Sequence, residues 1–498
     1  MKSENIHGKE KGLSAWQLTM MAVGTVIGGS FFLGSAVVIN ATGPSVLLSF
    51  ILGGILVYFI LYALSEMTVS KPTAGSFQTY ASDAYGPGLG FVVGWVYWTG
   101  MSLAMSSEAT AVSILIREWF PGISIAVLGS VIIVGVTLLN LLGADKLSKL
   151  ESGLAIIKVV AVVAFIVLAV LLIVGLIPGT RAAGVSQVAT ESFAPGGLGG
   201  FAGSLLIVMF AYSGFEIIGL AASETENPQE TVPKAINYTV VLLVSIYIIA
   251  IGLLLFLTPT SILNERTSPF VAALNRWGMG WAGTIINFVL ITAILSTMLA
   301  AMFGLGRMIR TLADAGQAPK WLDDTTDIPR KGILFTGVAM LLGLWFGLLL
   351  PSVYLFLVSS GGFAVLFTYA VIVASHIRFR KANGCPEGKC RLGAFPYSSL
   401  FVLVCLIIAM FSMPFIGGQT YGFIAGIAIT VLYSVAYLIM KAVKNRQGIS
   451  DNGDARQFQT RLSTEFSKEL TFDKERKYDE GDRDSGEDEE EEYDDYNE

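Results

Sequence analysis

The sequence predicts an all-α membrane protein in which twelve transmembrane helices form two related halves. Of its 498 residues, 53% are hydrophobic and 14% are charged, which is far more apolar than a soluble globular domain. Twelve apolar stretches approach the length of about 20 helical residues that crosses a hydrocarbon core of about 30 Å. The first and the sixth stretch are each interrupted by a glycine-rich polar run. These observations predict a helical bundle with two broken helices.

We number the apolar stretches as spans 1 to 12 in chain order. They lie at residues 14–38, 44–65, 91–116, 124–143, 153–177, 201–222, 235–258, 280–303, 333–350, 353–376, 398–416 and 420–441. Span 1 is not expected to be a cleaved signal peptide, because it is too long, no small-residue cleavage site follows it, and span 2 begins almost at once. Residues 1–13 are therefore predicted to remain in the mature protein, as its cytoplasmic N-terminus.

The interruptions in spans 1 and 6 point most directly to a function. The first runs from Gly24 to Ser30 and the second from Ala211 to Glu216. In hydrocarbon a helix is broken only where protein or a ligand supplies partners for the freed backbone groups. A pair of broken spans in two related halves indicates the substrate site of a transporter. Close packing of helices through small residues is the alternative explanation for either run.

Basic residues are distributed unequally between the two sides of the predicted bundle. Assigning alternate loops to opposite sides places 20 Lys and Arg residues on one side and four on the other. The positive-inside rule therefore predicts that both termini are cytoplasmic. Residues 447–498 carry 7 basic and 19 acidic residues, and we expect them to form a disordered acidic tail. A passive solvated tail and a regulatory one both fit this composition.

The sequence lacks the motifs of several other function classes. It has no metalloprotease, phosphate-loop or serine-hydrolase motif, and no aspartate lies within a span, so we expect no enzymatic activity. Cys385, Cys390 and His376 lie around one loop, but two thiols and one imidazole make a poor zinc site. No metal or other cofactor is expected. A channel, a secondary transporter and a receptor remain, and the pairing of the two halves favours the transporter.

Ionisable residues inside spans usually have a role, because each costs about 2.5–3.5 kcal/mol at a helix centre. Glu108 lies well inside span 3, Glu216 ends the second break, and Lys158 lies near the start of span 5. A lysine at that depth can also snorkel to the headgroups, so two explanations remain for Lys158. The acidic residues at span ends are expected to be solvated at the interface: Glu66, Glu151 and Glu224.

Several short motifs lie in order between span 1 and span 10. In the first half they are Gly24 to Ser35, Gly43 to Leu48, Ala63 to Met67, Pro72 to Phe77, Gly94 to Trp98 and Glu108 to Ala111. In the second half they are Gly214 to Glu216, Glu224 to Pro228, Val232 to Ala235, Gly306 to Met308 and Ala315 to Lys320. In sequence and in order, these motifs resemble those of amino acid permeases of the amino acid–polyamine–organocation superfamily, close to its bacterial amino acid transporter branch. Residues 447–498 lie outside the resemblance.

The resemblance implies a five-plus-five inverted repeat within a transporter domain of residues 14–446. Its halves would be residues 14–177 and 201–377, with spans 11 and 12 at residues 398–441 as peripheral helices. The implied function is secondary active transport of amino acids across the plasma membrane by alternating access. Proton-coupled uptake is the preferred form, with the proton gradient as the energy source. An amino acid exchanger and a non-transporting amino acid sensor are the alternatives.

The resemblance also implies which backbone groups bind the substrate. The N–H groups of Gly28, Gly29 and Ser30 would bind its carboxylate, because the positive end of a helix suits an anion. The carbonyl oxygens of Phe210 and Ser213 would face its ammonium group. Two further residues complete the predicted substrate site: Thr25 and Gly214.

Three ionisable residues take roles by the same resemblance. Lys158 matches a lysine that stands where sodium-coupled relatives hold a sodium ion, which favours proton coupling over snorkelling. Glu216 matches an acid linked to gating on the cytoplasmic side, and Glu108 matches an acid typical of this branch.

The expected partners are an amino acid, protons and membrane lipid, but no nucleic acid. Residues 117–123 contain no cysteine, so no disulfide-linked heavy chain is expected. The sequence leaves the amino acid itself open. Two carboxylates near the pathway, together with the expectation that no arginine is buried, disfavour acidic substrates.

Overall fold

The computed structural model describes residues 12–71, 76–177, 188, 190–222, 225, 227–324, 326, 328–385 and 388–446. Within these residues the chain is helical, and its β-structure is one isolated bridge between Leu13 and Thr225. The all-α prediction is therefore confirmed. The acidic tail and residues 1–11 lie outside the described residues, so the expectations about them stay predictions.

Each predicted span contains helix. The ten unbroken spans are Val46–Ser70, Pro87–Ile116, Ile125–Asn140, Ala144–Val174, Pro228–Leu257, Gly280–Asp314, Arg330–Gly347, Val353–Asn383, Tyr397–Phe411 and Thr420–Arg446. Eight stretches of described helix are long and apolar enough to cross a membrane by length and composition, and spans 4, 6 and 11 are shorter apolar helices. Several helices are longer than their apolar stretches, because the helical backbone continues into polar residues at the span ends.

Span 1 is broken in its middle. Its first helix, Ala15–Val26, begins at Ser14, whose side chain and that of Gln17 form a reciprocal capping box. The helix ends at Ile27 in an extended conformation. The chain then turns into a wide helical turn at Ser30–Gly34 and a second helix at Ser35–Thr42. The break thus occupies the glycine-rich run that the sequence singled out.

Span 6 is broken at the second predicted run. Its helix Gly197–Ala211 is followed by a turn and by the short helix Ile217–Leu220. Within the turn Gly214 has φ +103°, a conformation that glycine adopts without the penalty of a Cβ atom.

Both halves of the chain follow the same order of helices. Each begins with its broken span and continues with four unbroken ones. Each also carries a short helix between its second and third spans, Ser76–Tyr85 in the first half and Pro269–Arg276 in the second. The sequence did not indicate these two helices, because they are far shorter than a membrane span. Their matching positions agree with a twofold repeat.

Spans 3 and 10 pack closely at the centre of the bundle. Small residues face each other there, with Gly100 and Ala104 on span 3 opposite Gly361 and Ala364 on span 10. A methyl group added at Gly100 would overlap the side chain of Ala364, so the contact needs small residues on both helices. Span 12, by contrast, exposes most of its side chains, in agreement with a peripheral position.

Candidate functional site at the two helix breaks

The breaks in spans 1 and 6 lie against each other. The hydroxyl of Thr25 donates to the carbonyl oxygen of Gly214 over 3.3 Å. The hydroxyl of Ser30 donates to the carbonyl oxygen of Phe210 at 3.5 Å. A Cβ atom at Gly214 would lie 3.1 Å from the carbonyl oxygen of Thr25, so both this close approach and the positive φ call for glycine. The structure therefore brings the predicted site residues of the two spans together.

The carbonyl groups freed by the break in span 6 find partners within the protein. The carbonyl oxygen of Phe210 accepts from the backbone N–H of Ser213 at 3.0 Å and from its hydroxyl at 2.8 Å. The carbonyl oxygen of Ala211 accepts from the hydroxyl of Tyr247 on span 7 at 3.0 Å. Phe210, predicted to face the substrate ammonium, is thus already bonded within the turn. Tyr247 gave no signal in the sequence, because a tyrosine in an apolar helix resembles ordinary core.

The amide groups freed by the break in span 1 face a side chain from span 3. The N–H of Gly29 donates to Oε2 of Glu108 over 2.8 Å, and the N–H of Ser30 faces the same carboxylate. Glu108 is buried, and a methyl group added at Gly29 would overlap its Oε2 atom. At Gly28 an added methyl group would meet only the side chain of Thr297, at 3.4 Å. Two of the three predicted carboxylate donors therefore face a carboxylate of the protein.

Lys158 points into the bundle toward the break in span 1. Lys158 is 1% exposed, and its Nζ donates to the carbonyl oxygen of Gly24 and to the hydroxyl of Thr297, each at 2.8 Å. Thr297 on span 8 lies 3.3 Å from the carbonyl oxygen of Ile27. This geometry opposes snorkelling, while the role of Lys158 in coupling stays a prediction. Thr297 was missed because a threonine bonded to its own helix is common in such spans.

Glu216 forms a separate cluster that joins span 6 to spans 3 and 10. Its carboxylate accepts from the N–H of Gly214 at 2.9 Å, from the hydroxyl of Tyr97 at 3.0 Å and from that of Tyr369 at 3.0 Å. These contacts satisfy a buried carboxylate that would otherwise be costly. The two tyrosines were not singled out from the sequence. The predicted gating role of Glu216 stays a prediction.

The expectation that Glu66 is solvated at the interface is wrong. Its side chain is fully buried and accepts two bonds from the guanidinium of Arg380, with Nη2 at 2.8 Å, and one from the N–H of Leu392 at 2.6 Å. The loop after span 10 supplies Leu392 and so covers the end of span 2. The expected lack of a buried arginine is also wrong, since Arg380 is 9% exposed. The side chain of Glu151 and all of Glu224 lie outside the described residues.

The thiols near the end of span 10 differ in exposure. Cys385 is exposed and Cys390 is buried. Burial, with a smaller contribution from the charge of Glu66, raises the pKa of the Cys390 thiol to about 12. His376 lies against Glu66, with Nε2 3.1 Å from Oε1. Across the described ranges no group of three His, Cys, Asp or Glu residues is arranged to hold a metal ion.

A cavity of about 500 Å³ lies between the ends of spans 3, 4 and 10 and the loop after span 7. The sequence predicts that this side of the bundle faces outward. Charged side chains of both signs line the cavity, among them Arg117, Glu118, Glu265 and Arg266. Burial raises the pKa of the Glu118 and Glu265 carboxyls. The buried Tyr354 lines the cavity and also reaches the second half of span 1, so it borders both regions.

Known proteins match nearly the whole of the described chain. The model of the family described as amino acid permease matches residues 17–454. The chain is 32% identical to the gamma-aminobutyric acid permease of Bacillus subtilis (strain 168) over 450 residues, which cover 88% of this chain and 95% of that protein. It is 32% identical to a probable threonine/serine transporter of the same organism over 448 residues, covering 88% and 96%. An uncharacterized amino acid permease of that organism is 34% identical over 413 residues, covering 81% and 89%.

Proposed function

Because this chain belongs to the amino acid permease family, we propose that it carries amino acids across the plasma membrane by alternating access. The observation that carries the proposal is the contact between the two broken spans, through Thr25 with Gly214 and Ser30 with Phe210. Broken helices meeting at mid-span present backbone donors and acceptors in a region that otherwise offers none. We place the substrate at this contact and both chain termini in the cytoplasm.

We further propose that uptake is coupled to protons. Lys158 supports this, because it is a buried ammonium group bonded to the broken part of span 1 through Gly24. A buried lysine can release its proton when its surroundings change, so a movement of span 1 would change its affinity for a proton. Exchange of one amino acid for another is the alternative mode of transport.

Small zwitterionic amino acids are the substrate class that we propose. Two relatives are named for gamma-aminobutyric acid and for threonine and serine. Glu108 and Glu216 are buried beside the breaks, where a second carboxylate on the substrate would be repelled. The one buried arginine among the described residues, Arg380, is paired with Glu66. Acidic amino acids are therefore disfavoured.

Transport by the purified protein in proteoliposomes tests these proposals. Radiolabelled serine, threonine and 4-aminobutyrate would be supplied outside, with and without an inward proton gradient, and empty liposomes serve as the control. We expect at least one amino acid to accumulate only when the gradient is present. Uptake that requires amino acid inside the vesicles, and ignores the gradient, would indicate an exchanger. Binding without any flux would indicate a sensor.

A further inference from the structure

Glu108 holds the position that the substrate carboxylate is expected to take. The N–H of Gly29 lies 2.8 Å from Oε2 of Glu108, and the N–H of Ser30 faces the same group. These two amides are two of the three donors that the sequence resemblance assigns to the substrate carboxylate. Glu108 is 3% exposed, so the two amides replace most of the water that would otherwise solvate its carboxylate.

Two carboxylates cannot both occupy this pair of amides in their charged forms. At a separation of about 3 to 4 Å in a buried site, like charges repel strongly, and one of the two groups then takes up a proton. A neutral carboxylic acid also binds an amide less tightly than a carboxylate does, because charge-assisted hydrogen bonds are about twice as strong. A protonated Glu108 would therefore yield the amides to the carboxylate of an amino acid.

We propose that Glu108 is an internal competitor of the substrate carboxylate, and that an amino acid displaces it from Gly29 and Ser30 with the uptake of one proton onto Glu108. The proton comes from the solution and forms the carboxylic acid on Glu108. No covalent bond other than this O–H bond changes. The inference rests on the proposed function, since it takes an amino acid as the substrate.

The titratable groups around Glu108 are compatible with this exchange. Among the described residues, Lys158 on span 5 attracts the charged form of Glu108, and Tyr354 on span 10 also interacts with it. From span 8 the residue beside Gly29 is Ile294, and Thr297 lies beside Gly28, so neither neighbour carries a charge. Lys158 is directed to Gly24 and Thr297. The charged Glu108 is therefore held chiefly by the two amides for which the substrate would compete.

Calorimetric titration of the purified protein with serine, threonine and 4-aminobutyrate tests the proposal. Titrations in two buffers of different ionisation enthalpy give the number of protons taken up with each bound amino acid. At a pH above that at which Glu108 loses its proton in the free protein, we expect about one proton per bound amino acid and an affinity that falls about tenfold per pH unit. Binding without proton uptake in this pH range, by the wild-type protein, would overturn the proposal without the need for any variant.

Glu108→Gln identifies the group that takes up the proton. The glutamine can accept from Gly29 but carries no charge, so we expect binding to persist with proton uptake near zero and little dependence on pH. Glu230→Gln, which neutralises an exposed carboxylate in the first turn of the helix Pro228–Leu257, is the control and should keep the wild-type value. Full proton uptake by Glu108→Gln would overturn the proposal. If the wild-type protein neither binds nor transports any amino acid, both the proposed function and the role of Glu108 are refuted. If it transports an amino acid but takes up no proton on binding, only the role of Glu108 is refuted.

Discussion

Replacing Arg380 with methionine should destabilise the protein strongly, because it leaves Glu66 as a buried carboxylate without its cation. Removing one partner of a buried ion pair costs about 3–5 kcal/mol. Glu66 would keep the N–H of Leu392 at 2.6 Å and His376 at 3.1 Å, so we expect a loss near 3 kcal/mol of unfolding free energy. The neighbouring Lys381 is exposed, and Lys381→Met should change stability by less than about 0.5 kcal/mol.

Unfolding of purified variants in mixed micelles, titrated with a denaturing detergent, measures this difference. The double variant Glu66→Gln with Arg380→Met removes both charges, so it should recover much of the stability that Arg380→Met loses. An Arg380→Met protein as stable as Lys381→Met would refute the reasoning. A double variant that is less stable than Arg380→Met alone would refute it as well, because the double variant has no unpaired buried charge.

Three further predictions test the site and the orientation of the chain. Lys158→Met should reduce accumulation driven by a proton gradient more than it reduces binding, and unchanged accumulation would show that the lysine has no part in coupling. Gly29→Ala should weaken amino acid binding much more than Gly28→Ala does, because only at Gly29 would the new methyl group overlap a buried carboxylate. Equal affinities of the two variants in a binding assay would contradict this prediction. Cys385 should react with a maleimide applied from the cytoplasmic side at pH 7. Cys390, whose pKa is raised to about 12, should stay protonated and unreactive until the protein unfolds. Labelling of Cys385 from the outside would show that the predicted orientation is reversed.

The positions of the spans and of both helix breaks were predictable from the sequence. A span must carry an apolar stretch of a certain length, and a break in hydrocarbon needs glycine and polar groups at the same place. Both are properties of consecutive residues. The runs from Gly24 to Ser30 and from Ala211 to Glu216 therefore lie where the helices end in the structure. The short helix Ser76–Tyr85 was missed for the same reason, since it carries no apolar stretch of that length.

The partners of the buried charges were decided by the tertiary structure alone. Glu66 lies at a span end, where a carboxylate is usually solvated, yet Arg380 is brought to it from 314 residues away. Glu108 meets the amide of Gly29 across 79 residues. Whether a charge near a membrane boundary faces water or a partner depends on which helix packs beside it. The sequence by itself thus indicated that Glu108, Glu216 and Lys158 needed a partner, because burial of a charge in an apolar span is costly, but it did not indicate this for Glu66 at a span end. Only the packing of span 1 against span 3, and of span 2 against span 10, decided which partners Glu108 and Glu66 found.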